Sequence, residues 1–254
     1  MYRLAGLVVL VGCRGILGID DPTVAASDAK PRLDSANCTG DDYDADGIPD
    51  SCDPCPMFPA VADDRDSDND GLDDACDPRP QDPGDTRLLW THFASDQDIA
   101  TWAKLGGTWM VVNGALRQAS ATGTAALALP GTQSTVSILT RIDVVARGTN
   151  PSAGVCGYAA QNAFKCCDLR STGSGAAELM ASNNLAMSVV DANLAFQAGT
   201  SYELTNVTSG LQHQCRLASD ITAELHSGEA PGLIALRTEQ ASVAYRYLFV
   251  VQMP

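Results

Sequence analysis

The sequence predicts a mainly β protein in which an irregular, acidic N-terminal segment precedes an antiparallel sandwich of the jelly-roll type. The first observation is the sequence pattern of residues 88–254, where short apolar segments recur with Gly, Asn, Ser or Pro between them. Several of these segments alternate in period two, which is typical of half-buried strands. The second observation is the density of Asp and Pro in residues 38–85, because prolines exclude regular helices there.

The negative charge of the chain is concentrated in one stretch. The 254 residues carry a formal net charge of −15, yet residues 20–85 alone hold 20 Asp, no Glu and four basic side chains. The rest of the chain is nearly neutral. This balance argues against a nucleic-acid partner, because phosphate contacts need clustered Lys and Arg. The exclusive use of Asp also argues against a merely solubilising tail, which normally mixes Asp with Glu.

The start of the chain resembles the export signal of bacterial lipoproteins. Arg3 precedes an apolar stretch that ends in Leu10-Val11-Gly12-Cys13, and this tetrapeptide matches the lipobox at each position. The resemblance implies that residues 1–12 are a signal peptide and that Cys13 is acylated and anchors the protein. Arg14 is not the Asp that retains such proteins in the inner membrane, so the outer membrane is expected, on its periplasmic or cell-surface face. An ordinary secretion signal with a bystander cysteine is the alternative.

Residues 13–37 follow as an expected flexible tether. Beyond Cys13, an even number of cysteines remains, which suits an exported protein with a disulfide framework. They form two sets of four, one in the acidic segment and one in the later region: Cys38, Cys52, Cys55 and Cys76, then Cys156, Cys166, Cys167 and Cys215.

The acidic segment contains one twelve-residue motif twice. Residues 42–53 and residues 66–77 both read D-x-D-x-D-G-[IL]-x-D-x-C-D, and the second copy lies 24 residues after the first. Internal repetition at a fixed spacing indicates a recurring structural unit.

The motif predicts a binding site for a hard divalent cation, calcium above all. Carboxylates at positions 1, 3 and 5 converge where the Gly at position 6 allows a sharp turn. Position 7 offers its backbone carbonyl, and positions 9 and 12 supply two more carboxylates. Zinc is disfavoured because the ligands are oxygen atoms and no His lies nearby. The predicted ligands are Asp42, Asp44, Asp46, Ile48, Asp50 and Asp53 in the first copy, and Asp66, Asp68, Asp70, Leu72, Asp74 and Asp77 in the second.

Residues 38–80 resemble thrombospondin type 3 repeats. The resemblance rests on the two motif copies and on the C-x-x-C-P sequence that begins at Cys52. It implies an irregular chain that wraps around calcium ions, with disulfides Cys38–Cys52 and Cys55–Cys76. An EF-hand is disfavoured, because position 12 is Asp, position 11 is Cys and nearby prolines exclude the flanking helices. A redox or zinc role for the C-x-x-C pair is the alternative.

The region from residue 88 to residue 253 resembles the concanavalin A-like or laminin G-like jelly roll of bacterial surface proteins. The segments that carry the resemblance are 106–118, 152–158, 232–237 and 241–251. About twelve short strands are expected, with a hairpin at Asn113-Gly114, a strong turn signal. The resemblance implies a domain at 88–254 but no function, because this fold occurs in lectins, adhesion modules, glycosidases and spacers.

No sequence feature of this region points to catalysis. Glycosidases need two carboxylates about 5 to 10 Å apart, and a strand would show them as closely spaced acids, a pattern that this region lacks. Its histidines are isolated from one another and from any obvious nucleophile. Trp90, Trp102, Trp109 and Tyr158 could stack a sugar, although core packing is the commoner role of aromatic residues in a sandwich.

The four later cysteines are predicted to form two structural disulfides. If Gln161-Asn162 is a hairpin turn, Cys156 and Cys167 lie opposite each other, since both are equally far from its centre. Successive residues of a strand point to opposite faces, so Cys166 faces away and is expected to pair with Cys215.

These features together predict a lipid-anchored, exported calcium-binding surface protein with a structural or adhesive role. Calcium is expected to order residues 38–85 into a short stalk, and the sandwich is expected to contact a glycan or another surface protein. Because no paired carboxylates are visible, the chain is predicted not to be an enzyme. An atypical carbohydrate-active enzyme with a glycosidase-like jelly roll is the alternative, and a spacer without a ligand is a further one.

Overall fold

A computed structural model describes residues 38–60, 65–133, 135–160, 163–171, 175–183, 186–209, 212–217, 221–226 and 232–254. The predicted signal peptide, lipidation site Cys13 and tether lie outside the described residues. The described part of the chain contains no helix that is long and apolar enough to span a membrane. The residues from Thr39 to Pro254 belong to one compact unit.

The unit is an antiparallel β-sandwich, which confirms the predicted fold class. Within the described residues the strands are β1 (Thr86–Thr91), β2 (Ala103–Lys104), β3 (Trp109–Val111), β4 (Leu116–Gln118), β5 (Thr124–Ala128), β6 (Val136–Ala160), β7 (Ala163–Ser171), β8 (Ala176–Ser182), β9 (Met187–Ala195), β10 (Ser201–Ser209), β11 (Gln212–Leu217), β12 (Ile221–His226) and β13 (Ala235–Gln252). A short 3-10 helix, Asp96–Ile99, follows β1 and begins at a Ser95 cap.

Strands β6 and β13 are long enough to run through both layers of the sandwich. The first part of β6 pairs with β10 and with the end of β13, whereas its second part pairs with β7 and with the start of β13. The first layer therefore has the order β12-β11-β10-β6-β13-β1, and the second has the order β9-β8-β7-β6-β13-β5-β2. Strand β4 pairs with the middle of β13, and β3 pairs with β4. The sequence predicted two segments in place of each long strand. Gly148 and Pro151 lie within β6, where the chain passes from one layer to the other.

The inner faces of the two layers form one apolar core. Many of its members have almost no exposed surface. The large ones that lie on strands are Tyr245, Leu116, Leu127, Ile138, Ile142, Leu169, Leu179, Leu204 and Leu217, and Phe93 and Phe196 join them from loops. Trp102 and Trp109 are also buried in this core, so core packing accounts for two of the three tryptophans. The side chain of Tyr158 lies outside the described residues.

Two disulfides cross-link the sandwich. Cys156 on β6 bonds to Cys166 on β7, and Cys167 on β7 bonds to Cys215 on β11. The second bond joins the two layers. The predicted pairs Cys156–Cys167 and Cys166–Cys215 are therefore wrong.

A β-bulge explains the error in the predicted pairing. The hairpin between β6 and β7 lies where the sequence placed it, since Ala160 is opposite Ala163. The register then shifts by one residue at Gly157, so that Cys166 rather than Cys167 lies opposite Cys156. A bulge of this kind inserts one unpaired residue into one strand, and the alternation of side chains cannot reveal it.

His213 lies beside the interlayer disulfide and has no exposed surface. Its Nε2 atom is 3.5 Å from Cys167 Sγ, and its Nδ1 atom has no hydrogen-bond partner. Burial lowers the pKa of His213 to about 4, and the charge of Lys165 contributes in the same direction. The folded protein therefore holds this imidazole neutral.

Acid is expected to destabilise the sandwich through His213. Below pH about 6.5 the unfolded chain takes up a proton that the folded protein excludes, so stability is lost as pH falls from about 6.5 to about 4. The loss is about 3 kcal/mol in this window. Urea unfolding at pH 7 and pH 4.5 measures it, and His213→Gln should flatten the pH dependence, whereas exposed His226→Gln should not. An unchanged slope in His213→Gln would contradict this assignment.

The acidic segment packs against the outer face of the first layer. Cys55, Met57 and Leu72 of the segment form an apolar cluster with four side chains of β6 and β13: Leu139, Tyr247, Phe249 and Val251. Polar contacts join the same surfaces, since Arg87 Nη1 donates to the carbonyl oxygen of Asp53 at 2.6 Å. The expectation of a stalk is thus wrong. The motif reveals the carboxylates of the loops, but it does not reveal that apolar side chains between them face a sheet.

Candidate metal centre and neighbouring pockets

The two motif copies adopt the same backbone conformation. We name residues 42–53 loop 1 and residues 66–77 loop 2. In loop 1 the N–H of Asp50 donates to the carbonyl oxygen of Asp41 at 2.8 Å, and in loop 2 the N–H of Asp74 donates to that of Arg65 at 2.6 Å. Position 4 has positive φ in both loops, as does the Gly at position 6. The 24-residue repeat is therefore a structural repeat.

The carboxylates at positions 1, 3 and 5 converge in each loop. Carboxylate oxygens of Asp42, Asp44 and Asp46 lie within 4.8 Å of one another, and so do those of the equivalent residues Asp66, Asp68 and Asp70. The N–H of Gly47 donates to Asp42 Oδ2 at 2.9 Å, and the N–H of Gly71 donates to Asp66 Oδ2 at 3.0 Å. The Gly turn thus orients the first carboxylate toward the other two.

Each loop also holds two buried carboxylate oxygens that have no hydrogen-bond partner. They belong to position 3 and position 12 in both loops: Asp44 Oδ2, Asp53 Oδ2, Asp68 Oδ2 and Asp77 Oδ2. The other oxygen at position 12 accepts a backbone N–H, from Cys55 at 2.8 Å in loop 1 and from Arg79 at 2.7 Å in loop 2. A buried anionic oxygen without a donor is costly, and a bound cation removes that cost.

The same carboxyl groups resist ionisation in the metal-free protein. Burial raises the pKa of Asp44 to about 6 and that of Asp53 to about 7, and neighbouring Asp charges add to the effect. In loop 2, burial raises the pKa of Asp77 to about 7 and also raises the pKa of Asp68. Crowded acids of this kind are typical of a site that a cation completes.

The carboxylates at position 9 have a different environment. Asp50 accepts the N–H of Tyr43 at 2.8 Å and the indole Nε1–H of Trp90 at 2.9 Å. Asp74 accepts both the N–H and the hydroxyl of Ser67, at 2.8 and 2.7 Å. All four oxygens therefore have protein donors. Asp50 in particular connects loop 1 to β1 of the sandwich.

The predicted carbonyl ligands follow the Gly turn in each loop. The N–H of Ile48 donates to Asp46 Oδ1 at 2.7 Å, and the N–H of Leu72 donates to Asp70 Oδ1 at 3.0 Å. Leu72 is buried against the first layer, whereas Ile48 is half-buried. The side chain of Leu72 therefore packs on the sheet rather than inside its loop.

Asp85 belongs to the site of loop 2 although it lies outside the motif. Its carboxylate has no exposed surface and lies within 4.8 Å of the carboxylates of Asp70 and Asp77. It also forms an ion pair with Arg79. The backbone N–H of Asp85 donates to Asp70 Oδ2 at 2.7 Å, and the equivalent bond in loop 1 comes from Ala60. No sequence signal marked Asp85, because the repeat ends at position 12.

A disulfide joins the two motif copies. Cys55, just after loop 1, bonds to Cys76 at position 11 of loop 2, which is the pair that the resemblance to thrombospondin type 3 repeats implies. Cys52 also forms a disulfide, and the implied Cys38–Cys52 pair stays a prediction. A redox or zinc role for the C-x-x-C sequence is disfavoured, because both of its cysteines are engaged in disulfides.

A cleft of about 570 Å³ opens between the start of the acidic segment and β1. Trp90 and His92 line one side, and Asp41, Asp50 and Ser51 line the other. Trp90 is half-buried, in contrast to the two tryptophans of the core.

A second pocket, of about 340 Å³, lies on the outer face of the second layer. Charged side chains on neighbouring strands pair there: Arg170 with Glu178 at 2.8 Å, and Arg237 with Asp168 at 3.1 Å and with Glu239 at 3.3 Å. Asp168 has no exposed surface, and burial raises its pKa even though Arg237 opposes the effect. Glu239, which lines the pocket, and the neighbouring carboxylates of Asp168 and Glu178 are thus held by arginines.

Comparison with known proteins supports the fold. No protein-family model and no curated protein matches the chain. A protein of unknown function with a galectin-like fold from Bacillus subtilis is 12% identical, with a TM-score of 0.52 over 66% of this chain and 96% of that chain. The apo form of the Crh5 transglycosylase is 9% identical, with a TM-score of 0.53 over 65% of this chain and 84% of that chain.

A carbohydrate-binding module, CBM66 from Bacillus subtilis, is 15% identical with a TM-score of 0.48, over 57% of this chain and 91% of that chain. That score is too low for any inference. The two higher scores, at such low identity, concern the fold alone. They confirm a concanavalin A-like, galectin-like sandwich, whereas the resemblances to thrombospondin type 3 repeats and to the lipobox stay predictions.

Proposed function

We propose that the chain is an exported calcium-binding protein that holds one calcium ion in each loop. The observation that carries this proposal is the set of four buried, unpartnered carboxylate oxygens at equivalent positions of the two loops. Calcium takes roughly six to eight oxygen ligands in flexible geometry, and the loops offer oxygen ligands. Positions 1, 3, 5 and 12 would supply carboxylates and position 7 its carbonyl. The carboxylates at position 9 would support the loop from outside.

The two loops are proposed to fix the acidic segment onto the sandwich. Loop 1 reaches the sandwich through Asp50 and Trp90, and Arg87 donates to the carbonyl oxygens of Asp50 and Asp53. Loop 2 reaches it through Leu72, which lies in the apolar cluster on the first layer. Calcium would therefore stabilise the packing of the acidic segment against the outer face of the first layer.

The proposed location is the outer membrane of a bacterium, with the lipid on Cys13 as anchor, on the periplasmic or cell-surface face. The disulfides favour an exported protein, because such bonds persist in oxidising compartments. The proposed role is structural or adhesive, with a sandwich that contacts a glycan or another surface protein.

An atypical carbohydrate-active enzyme is the second candidate. Acidic side chains do gather on the outer face of the second layer, which is the arrangement that a glycosidase would need. However, Asp168 has no exposed surface, and Glu178 and Glu239 are both paired with arginines. Carboxylates held in this way fit a role in binding or in stability better than a role in proton transfer. We therefore favour a non-catalytic protein.

Calcium titration by calorimetry tests the proposal. The wild-type chain should take up two ions, and Asp53→Asn should remove the ion of loop 1 because it removes a charged ligand with a buried oxygen. Asp77→Asn should do the same in loop 2. The matched control is Asp82→Asn, at an exposed position outside both loops. Two ions bound to Asp53→Asn with unchanged affinity would refute the assignment of position 12.

A further inference from the structure

We infer that the cleft between loop 1 and β1 binds a neutral saccharide, and that calcium in loop 1 is required for this binding. The inference rests on the calcium sites proposed above. It specifies which class of ligand the sandwich would contact and where that ligand would bind.

The size and composition of the cleft suit a small polyhydroxylated ligand. Its volume of about 570 Å³ falls within the range of about 300 to 1,000 Å³ typical of small-molecule sites. One wall carries an indole and an imidazole, and the opposite wall carries carboxylates and hydroxyl groups. A sugar ring presents the same two surfaces, an apolar face of C–H groups and an edge of hydroxyl groups.

Trp90 is held in a fixed orientation at this cleft. Its Nε1–H donates to Asp50 Oδ2 at 2.9 Å. The ring of Tyr43 packs edge-on against it at 5.5 Å, and that of Phe249 at 6.3 Å. A rigid aromatic ring loses little conformational entropy when a ligand stacks on it.

The polar groups of the cleft favour a neutral ligand over an ion. Asp41 Oδ2 lies 3.1 Å from His92 Nε2, and the carboxylate of Asp50 has donors at both oxygens. Asp98 accepts the N–H of Ser95 at 3.0 Å. The acids are thus already paired, and Arg87, which also lines the cleft, donates to the carbonyl oxygens of Asp50 and Asp53, so an ion of either sign gains little here. Asp41 and His92 still offer an acceptor and a donor side by side, and the Asp41 side chain is 69% exposed.

Saccharide binding would depend on calcium because residues of loop 1 form one wall of the cleft. Asp50 at position 9 is both a member of loop 1 and the partner of Trp90. Without a cation, the crowded carboxylates of loop 1 repel one another, which moves this wall and releases the indole. The pocket on the second layer has neither feature, since its described lining residues include no aromatic side chain and no loop carboxylate.

A saccharide titration of the full chain tests the inference. The probes are glucose, galactose, mannose, N-acetylglucosamine and their di- and trisaccharides, followed by tryptophan fluorescence and calorimetry in saturating calcium. We expect at least one probe to bind, with affinity at least tenfold lower in His92→Ala and in Asp41→Asn. Arg170→Ala, in the pocket of the second layer, should leave the affinity unchanged. EDTA should abolish the binding.

Several outcomes would overturn the inference. They are the absence of binding to every saccharide, binding that persists in EDTA, loss of binding in Arg170→Ala, and uptake of choline or phosphate at the cleft in place of a sugar. Calcium uptake is measured on the same samples. A chain that binds calcium but no saccharide overturns only this inference, whereas a chain that binds no calcium overturns the proposed function itself.

Discussion

Removal of calcium with EDTA should release the acidic segment from the sandwich and make residues 42–77 sensitive to protease. The carboxylates of each loop would then face one another without a cation, and their mutual repulsion opposes the compact loop. With calcium at about 100 times its Kd, each site contributes about 2.7 kcal/mol, so two sites contribute about 5 kcal/mol. The apolar surface of Leu139, Tyr247 and Phe249 would lose its cover.

Limited proteolysis with mass spectrometry measures this effect, and binding of a hydrophobic dye reports the uncovered sheet. The sandwich itself should stay folded, because its core lies between the two layers and does not include the loops. Excess calcium added back serves as the control and should restore protection. Equal cleavage rates in calcium and in EDTA would show that the loops need no ion.

Replacement of Gly154 by alanine should destabilise the sandwich by about 3 kcal/mol or more, at the upper end of overpacking effects. A Cβ atom at this position would lie 1.9 Å from the carbonyl oxygen of Cys167 and 2.8 Å from Cα of Asp168. Both are backbone atoms of β7, so rotation of a side chain cannot relieve the clash. The methyl group would also lie 2.8 Å from Asp168 Oδ1 and disturb its ion pair with Arg237.

Gly157→Ala is the matched comparison for this substitution. The three atoms nearest to the added methyl group would all belong to side chains: Thr208 Oγ1 at 2.7 Å, Thr208 Cβ at 3.5 Å and Asn206 Nδ2 at 3.6 Å. A hydroxyl can rotate away, so this variant should lose less stability. Chemical denaturation in saturating calcium gives both values. A Gly154→Ala protein as stable as wild type would contradict the close approach of β6 and β7.

The local signals of the sequence predicted much of the sandwich. Asn113 and Gly114 both have positive φ, as a two-residue hairpin requires,, and they connect β3 to β4. Most of the alternating segments are strands at nearly the predicted places, because one face of each is buried in a common core. The strands that were missed include β1, whose outer face is covered by the acidic segment, and β8, which follows a stretch of small residues.

Features that depend on distant parts of the chain were not predictable in the same way. The bulge at Gly157 changes the cysteine pairing through a shift in register that no pattern of side chains records. The carboxylate of Asp85 lies close to the carboxylates of loop 2 only because the chain folds back toward this loop after the motif ends. Likewise, the motif predicted which carboxylates gather, but the contact of Met57 and Leu72 with the sheet depends on an apolar patch contributed by strands far away in sequence.

If the chain is tethered at its N-terminus, as proposed above, the Cys55–Cys76 disulfide would have a mechanical consequence. Tension from such a tether would enter at the start of the acidic segment, and the covalent bond would carry it past the intervening chain. The two half-cystines are separated by 21 residues, which at about 3.5 Å per residue would otherwise give about 70 Å of extension. If such a molecule were stretched, β1 and its pairing with β13 would therefore come under tension without any extension of the chain between the two cysteines.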